Sequence, residues 1–68
     1  MMKCKLHLKR ESKDIEYEFD DGEKLSDMLV SIGLIPDTVL IFKQDIPVPE
    51  DELITEDNYV IVETASRG

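Results

Sequence analysis

The sequence lacks several features that would point to a secreted or membrane-bound protein. It has one cysteine in 68 residues, so it cannot form an internal disulfide, and a lone cysteine is consistent with a reducing compartment. Nothing near its start resembles a signal peptide, because Lys3, Lys5, His7 and Lys9 interrupt the apolar positions there. Its longest apolar runs, residues 39–42 and 59–62, are far too short to span a bilayer. These absences predict a cytoplasmic protein.

Residue patterns typical of catalysis and metal binding are missing as well. No nucleophile stands in a recognisable catalytic context, and no glycine-rich loop could hold a phosphate. Cys4 falls on the apolar side of a predicted strand and is expected in the core. His7 has no second His or Cys at ligand spacing, and residues 50–52 lack the spacing of a calcium loop. We therefore predict that the chain is not an enzyme, has no catalytic residue and binds no metal or cofactor of its own.

Basic residues are scarce relative to acidic ones. There are 16 Asp and Glu against 8 Lys and Arg, which gives a formal charge of −8. A surface with this charge repels phosphates, which disfavours nucleic acid and anionic membranes as general partners. A basic protein partner is favoured. The alternative is that the charge only maintains solubility.

One segment, residues 23–34 (EKLSDMLVSIGL), has the apolar period of an α-helix. The positions i, i+3, i+4 and i+7 of one stripe are occupied by Leu25, Met28, Leu29 and Ile32. Asp21 can cap the start, Gly33 suits a left-handed helix end, and Pro36 prevents the helix from resuming. A helix this short requires a sheet to pack on. One further helical turn is expected within residues 50–54.

Alternation of apolar and polar residues predicts two strands at residues 2–10 and 14–20. As a hairpin, they would set a row of lysines against a row of carboxylates, which favours the pairing. Residues 38–42 (TVLIF) and 59–64 (YVIVET) are apolar on both faces, which indicates interior strands or an outer face that meets a partner. Residues 46–49 (IPVP) can form only a short edge segment. Right-handed crossover rules place the first and last strands side by side and parallel.

This element order, with a glycine as the final residue, resembles the β-grasp fold of ubiquitin-like proteins. More narrowly, it is similar to the prokaryotic sulfur carriers of thiamine and molybdopterin synthesis and to the archaeal ubiquitin-like modifiers. Residues 25–42, 45–51 and 56–62 carry the resemblance. It implies a single α+β domain, residues 1–64, in which a mixed four- to five-stranded sheet packs on one α-helix. Residues 65–68 would be a flexible C-terminal tail.

The resemblance also implies a chemistry for the tail, which contains Ser66, Arg67 and Gly68. In the family, an E1-like enzyme uses ATP to adenylate the carboxylate of the last glycine. The product becomes a thiocarboxylate or is joined to a lysine. Gly68 matches that glycine, whereas Arg67 stands where the family has a second one. The implied partners of this chain, expected to be a monomer, are the adenylating enzyme and a sulfur acceptor or target protein.

Two alternatives to a carrier remain open. The chain could be a non-covalent binding module that has lost the reactive Gly-Gly tail, which Arg67 favours. It could also be an auxiliary RNA-binding domain, which the charge of −8 opposes. For the carrier and the binding module alike, the predicted partner surface comprises Val39, Ile41, Phe42, Tyr59 and Ile61. The sequence leaves open whether Val39 and Ile41 or Leu40 and Phe42 face away from the helix, and the outward pair is expected to form an apolar patch with one side of residues 59–62.

Overall fold

Five strands and two short helices follow one another along residues 2–64, the part of the chain that the computed structural model describes. The elements are β1 (Met2–Leu8), β2 (Lys13–Phe19), α1 (Leu25–Ser31), a 3-10 helix (Pro36–Thr38), β3 (Val39–Lys43), β4 (Ile46–Val48) and β5 (Asn58–Glu63). The sheet order is β2-β1-β5-β3-β4. The central strands β1 and β5 are parallel, as predicted, and every other pair is antiparallel. The predicted α+β β-grasp fold is confirmed.

The β1–β2 hairpin has the predicted charge pattern on its outer face, the face turned away from α1. Lys3 lies opposite Glu18 and Lys5 lies opposite Glu16 in the strand register. The ammonium nitrogen of Lys3 is 4.0 Å from a carboxylate oxygen of each glutamate. Because these side chains are exposed, each pair adds only a few tenths of a kcal/mol, but together they favour this register.

The core lies between α1 and the inner face of the sheet. Leu25, Met28 and Leu29 of the predicted helical stripe are fully buried, and Ile32 packs against them at the edge. The buried sheet residues are Cys4, Leu6, Phe19, Val39, Ile41, Tyr59 and Ile61, with Ile54 from the loop before β5. The apolar stripe therefore docks on the sheet as its period predicts.

The start of α1 differs from the prediction. The N-cap is Lys24, whose side chain forms no capping hydrogen bond, and not Asp21. The N–H groups of Leu25 and Ser26 instead donate to the carbonyl oxygens of Glu52 (2.9 Å) and Glu50 (2.8 Å). Backbone carbonyls from a distant loop thus satisfy donors that a side-chain cap normally satisfies.

The same contacts explain why residues 50–54 do not form the helical turn that we expected. The Leu53 backbone pairs with Lys24 in an isolated antiparallel bridge, and the N–H of Ile54 donates to the carbonyl oxygen of Glu23 at 2.9 Å. The backbone of this loop therefore forms hydrogen bonds with the start of α1 and with the turn before it. Within the loop, the N–H of Glu52 donates to the carbonyl oxygen of Pro49 at 3.2 Å, which makes a turn but not a helix.

The end of α1 is as predicted. Gly33 has φ +88°, in the left-handed region that a side chain would strain. The N–H of Leu34 donates to the carbonyl oxygen of Leu29 at 2.8 Å, which closes the helix end. A 3-10 turn over Pro36–Thr38, which the sequence analysis did not predict, then leads into β3.

A two-residue turn joins β3 to β4. Lys43 pairs with Ile46, and the two residues between them, Gln44 and Asp45, have φ +54° and +65°. Positive φ at both central positions is the mark of a type I′ turn, which matches the twist of a hairpin. Asp45 tolerates this geometry, whereas Gln44 is not among the glycine, asparagine and aspartate residues that it favours.

Candidate functional site

The predicted reactive residue, Gly68, lies outside the described residues, as do Ser66, Arg67 and the rest of the predicted tail. The structure does describe the base of that segment. The base comprises the last residues of β5 and Thr64, which follows them. This base and the outer face of the sheet are the two parts of the candidate site.

Thr64 is tied to the turn that precedes β3. Its N–H donates to the carbonyl oxygen of Thr38 at 2.8 Å, and its hydroxyl donates to the same oxygen at 3.3 Å. Thr38 is itself fixed, because its N–H and its hydroxyl both donate to the carbonyl oxygen of Ile35, at 2.9 and 2.8 Å. The 3-10 turn therefore presents an acceptor to Thr64.

The opposite side of the base is tied to the turn between β1 and β2. The guanidinium of Arg10 donates to the Glu63 carboxylate at 2.9 Å, and that carboxylate side chain is 23 % exposed. The N–H of Lys9 donates to the carbonyl oxygen of Ile61 at 3.0 Å. Two turns from different parts of the chain thus hold the end of β5 between them.

Four of the five residues predicted to form the partner surface are in the core. Val39, Ile41, Tyr59 and Ile61 are at most 9 % exposed and lie on the sheet face that carries α1. Their assignment to an exposed surface was wrong. The physical reason is that β3 and β5 are apolar on both faces, so their sequences do not show which set of alternate residues points inward.

Tyr59 shows how a polar group is accommodated on the buried face. Its hydroxyl oxygen accepts the N–H of Thr55 at 3.0 Å and lies 2.9 Å from the Thr55 hydroxyl. A buried phenol needs such a partner. These bonds occupy the polar end of Tyr59 within the domain.

The exposed apolar residues of β3 and β5 form a different surface, which we call the outer patch: Leu40, Phe42, Val60 and Val62. In the β3–β5 register, Leu40 lies opposite Val62 and Phe42 lies opposite Val60. Leu40 is 49 % exposed, and the other three are partly exposed. Phe42 belongs to the predicted partner surface, and Leu40 with Phe42 is the alternative outward pair that the sequence left open.

The outer patch borders a charged half of the same face. His7 lies beside Val60 across the β1–β5 pair, and its Nδ1 is 2.6 Å from an Asp14 carboxylate oxygen. A shallow groove runs here between charged side chains, among them Lys5 and Glu16. The outer face is therefore apolar on β5 and β3 and charged on β1 and β2, a composition typical of interaction surfaces.

The described residues offer little for catalysis. The Cys4 thiol is 3 % exposed, and burial, with a smaller contribution from the charge of Glu23, raises its pKa to about 11. A thiol that stays protonated at neutral pH is a poor nucleophile. Among residues 2–64, no group of three or more His, Cys, Asp or Glu side chains is placed to hold a metal ion. Within this same range, no helix has the length and apolarity needed to cross a membrane.

Comparison with known proteins identifies the family. The sequence profile of the family described as small archaeal modifier protein 2 matches residues 2–63. The chain belongs to this family. An uncharacterized protein of Archaeoglobus fulgidus is 34 % identical over 58 residues, which make up 85 % of each chain. The small archaeal modifier family is ubiquitin-like, so the predicted recognition is confirmed, and its membership implies a ubiquitin-like modifier or sulfur carrier. Members act with E1-like enzymes and target proteins.

Proposed function

We propose that this protein is a ubiquitin-like carrier whose reactive group is the Gly68 carboxylate. An E1-like partner adenylates it: a carboxylate oxygen attacks the α-phosphorus of ATP, and pyrophosphate leaves. Hydrosulfide or a lysine amine then attacks the acyl carbon, and AMP leaves with the electron pair of the broken C–O bond. The product is a thiocarboxylate in the first case and an isopeptide in the second. ATP is the partner's substrate and not a cofactor of this chain.

One observation carries the proposal. The family match runs through residues 2–63 and stops at the fixed base of the segment that contains Gly68. The hydrogen bonds of Thr64 and the Arg10–Glu63 ion pair hold that base at one end of the sheet. A carrier needs such an arrangement, because the body must be recognised while the reactive end enters another protein's active site.

The outer patch is the surface by which we expect partners to recognise the body. It is apolar at its centre and has charged neighbours on β1, which is how the core and rim of protein interfaces are arranged. It also begins at the base, because Val62 precedes Thr64 by two residues. A partner that binds the patch is therefore positioned close to the reactive segment.

Arg67 favours one competing function, a non-covalent binding module. In the family, the tail enters a narrow channel of the activating enzyme. Glycine fits such a channel because it has no Cβ, whereas arginine brings a long charged side chain. A binding module would use the outer patch and never be adenylated.

The two functions are separated by incubating the protein with extract of its own cells, ATP and a sulfide source. A carrier gains the mass of one sulfur minus one oxygen or forms a lysine conjugate. A variant extended past Gly68 should do neither, since an internal peptide carbonyl offers no carboxylate to adenylate. The Arg67→Gly variant should react at the same rate or faster. Reaction of Arg67→Gly without any reaction of the natural chain would establish the binding module instead.

A further inference from the structure

We propose that the adenylating partner binds the end of the domain from which β5 exits, and not its acidic end. We call this surface the exit rim and define it as Lys9, Arg10, Asp37 and Thr38. The inference rests on the proposed function. It adds which surface of this chain the partner covers and what chemistry the partner's own surface has.

The first argument is reach. Hydrogen bonds from both sides hold the chain as far as Thr64. Gly68 is the fourth residue after Thr64, and four residues span at most about 13 Å when fully extended. An active site that adenylates Gly68 must therefore lie within about 13 Å of Thr64. A protein large enough to bind ATP cannot come this close without covering the surface around Thr64.

The second argument is what that surface contains. Thr38 accepts the hydrogen bonds of Thr64, and Asp37 is the exposed residue before it. Arg10 pairs with Glu63, and Lys9 is the exposed residue before Arg10. These two turns flank the exit on opposite sides. The partner must therefore contact both of them.

The third argument is the distribution of charge. More than half of the acidic residues lie at the end of the domain where β5 begins. They belong to the loops before α1, between β3 and β4, and between β4 and β5. They are Asp20, Asp21, Glu23, Asp45, Glu50, Asp51, Glu52, Glu56 and Asp57. The two turns at the exit rim, in contrast, carry Lys9, Glu11, Asp37 and an Arg10 that Glu63 neutralises. The exit rim is therefore close to charge balance.

The two ends are electrostatically separate. From Asp57 to Thr64, the residues on either side of β5, the chain spans about 23 Å, whereas charges are screened over about 8 Å at physiological salt. The partner surface that fits the exit rim is therefore near neutral, with an apolar area where it continues onto Leu40 and Val62. The net charge of −8 would by itself suggest a strongly basic partner.

The test measures the initial rate of ATP-dependent modification in native-cell extract against protein concentration. The exit-rim variants are Lys9→Glu and Asp37→Lys, and Asp51→Lys is the matched control at the acidic end. We expect each rim variant to raise the apparent KM about threefold to tenfold, with Asp51→Lys unchanged. We also expect the KM of the natural chain to vary little between about 0.05 and 0.3 M salt. Unfolding midpoints show that each variant is folded.

A second set of variants tests the reach argument. A flexible Gly/Ser insert after Thr64 removes the need for close approach, so the rim substitutions should lose most of their effect in that background. Unchanged KM values for both rim variants, or a KM raised by Asp51→Lys and by salt, would overturn the inference while leaving the carrier function in place. If the natural chain were never modified, the proposed function would fail and the inference with it.

Discussion

Leu29 and Val30 are adjacent in α1 and lie in opposite environments, the first 0 % and the second 64 % exposed. This pair provides a matched test of helix docking. Leu29→Ala should lower the free energy of unfolding by about 2–5 kcal/mol, because it leaves a cavity in the core. Val30→Ala should change it by less than about 0.5 kcal/mol. Urea unfolding midpoints measure both, and equal midpoints for the two variants would show that α1 does not pack as described.

Alkaline pH should destabilise the protein through Cys4. Burial raises the thiol pKa from 9.0 in the unfolded chain to about 11 in the folded one. A raised pKa stabilises the fold fully below pH 9, and this contribution is lost as the pH rises toward 11, because only the unfolded thiol ionises in that range. The loss should reach about 2 kcal/mol.

The comparison for Cys4 is the Cys4→Ala variant, whose unfolding free energy should fall less steeply across the same pH range. The pKa of Tyr17 is also raised, by burial and by its hydrogen bond to Glu23. Burial and the Glu23 bond act in both proteins, but Tyr17 lies opposite Cys4 in the strand register and the Cys4 thiolate also raises its pKa. The difference between the two proteins therefore reports the ionisation of Cys4 together with this coupling. Identical pH dependence of the two proteins would refute the prediction.

A substitution in the Gln44–Asp45 turn should raise the stability of the fold. Both residues have positive φ without being glycine, and although Asp tolerates the left-handed region better than most L-residues, glycine adopts it at no steric cost. Asp45→Gly should therefore raise the unfolding free energy by about 0.5–1 kcal/mol. Asp45→Ala, which removes the carboxylate but keeps the Cβ, should give no gain. A gain of equal size in both variants would point to charge and not to backbone strain.

Substitutions in the outer patch should weaken recognition without unfolding the protein. Leu40→Ser removes an exposed apolar side chain, so we expect an unchanged urea midpoint but a several-fold higher apparent KM for modification in native-cell extract. Val30→Ser removes an apolar side chain of similar exposure from α1, outside the patch. If both variants are modified with the KM of the natural chain, the outer patch has no part in recognition.

Local patterns predicted the fold well where they were unambiguous. The alternation in β1 and β2 fixed their inner and outer faces, and the stripe through Leu25 and Leu29 fixed the face of α1. Gly33 marked the helix end because few other residues adopt its backbone conformation. Where local chemistry and tertiary packing agree, the sequence is sufficient.

The errors arose where distant parts of the chain decide the structure. The carbonyl oxygens of Glu50 and Glu52 cap α1, and no local signal near Asp21 could show this. In β3 and β5 both faces are apolar, so the choice between Ile41 and Leu40 for the exterior depended on where α1 packs. The partner surface was accordingly assigned mostly to buried residues. The fixed base at Thr64 was missed because its partner, Thr38, belongs to a 3-10 turn that the sequence pattern did not reveal.

The most direct test of the carrier function is the intact mass of the protein purified from its native cells without reducing or acidic treatment. We predict two species that end at Gly68, one with the mass of the sequence and one heavier by a sulfur in place of an oxygen, or else lysine conjugates that carry the chain through Gly68. Fragmentation should place the change on the terminal glycine. A single unmodified species under conditions that support sulfur transfer in those cells, or a chain that continues beyond Gly68, would contradict the proposed function.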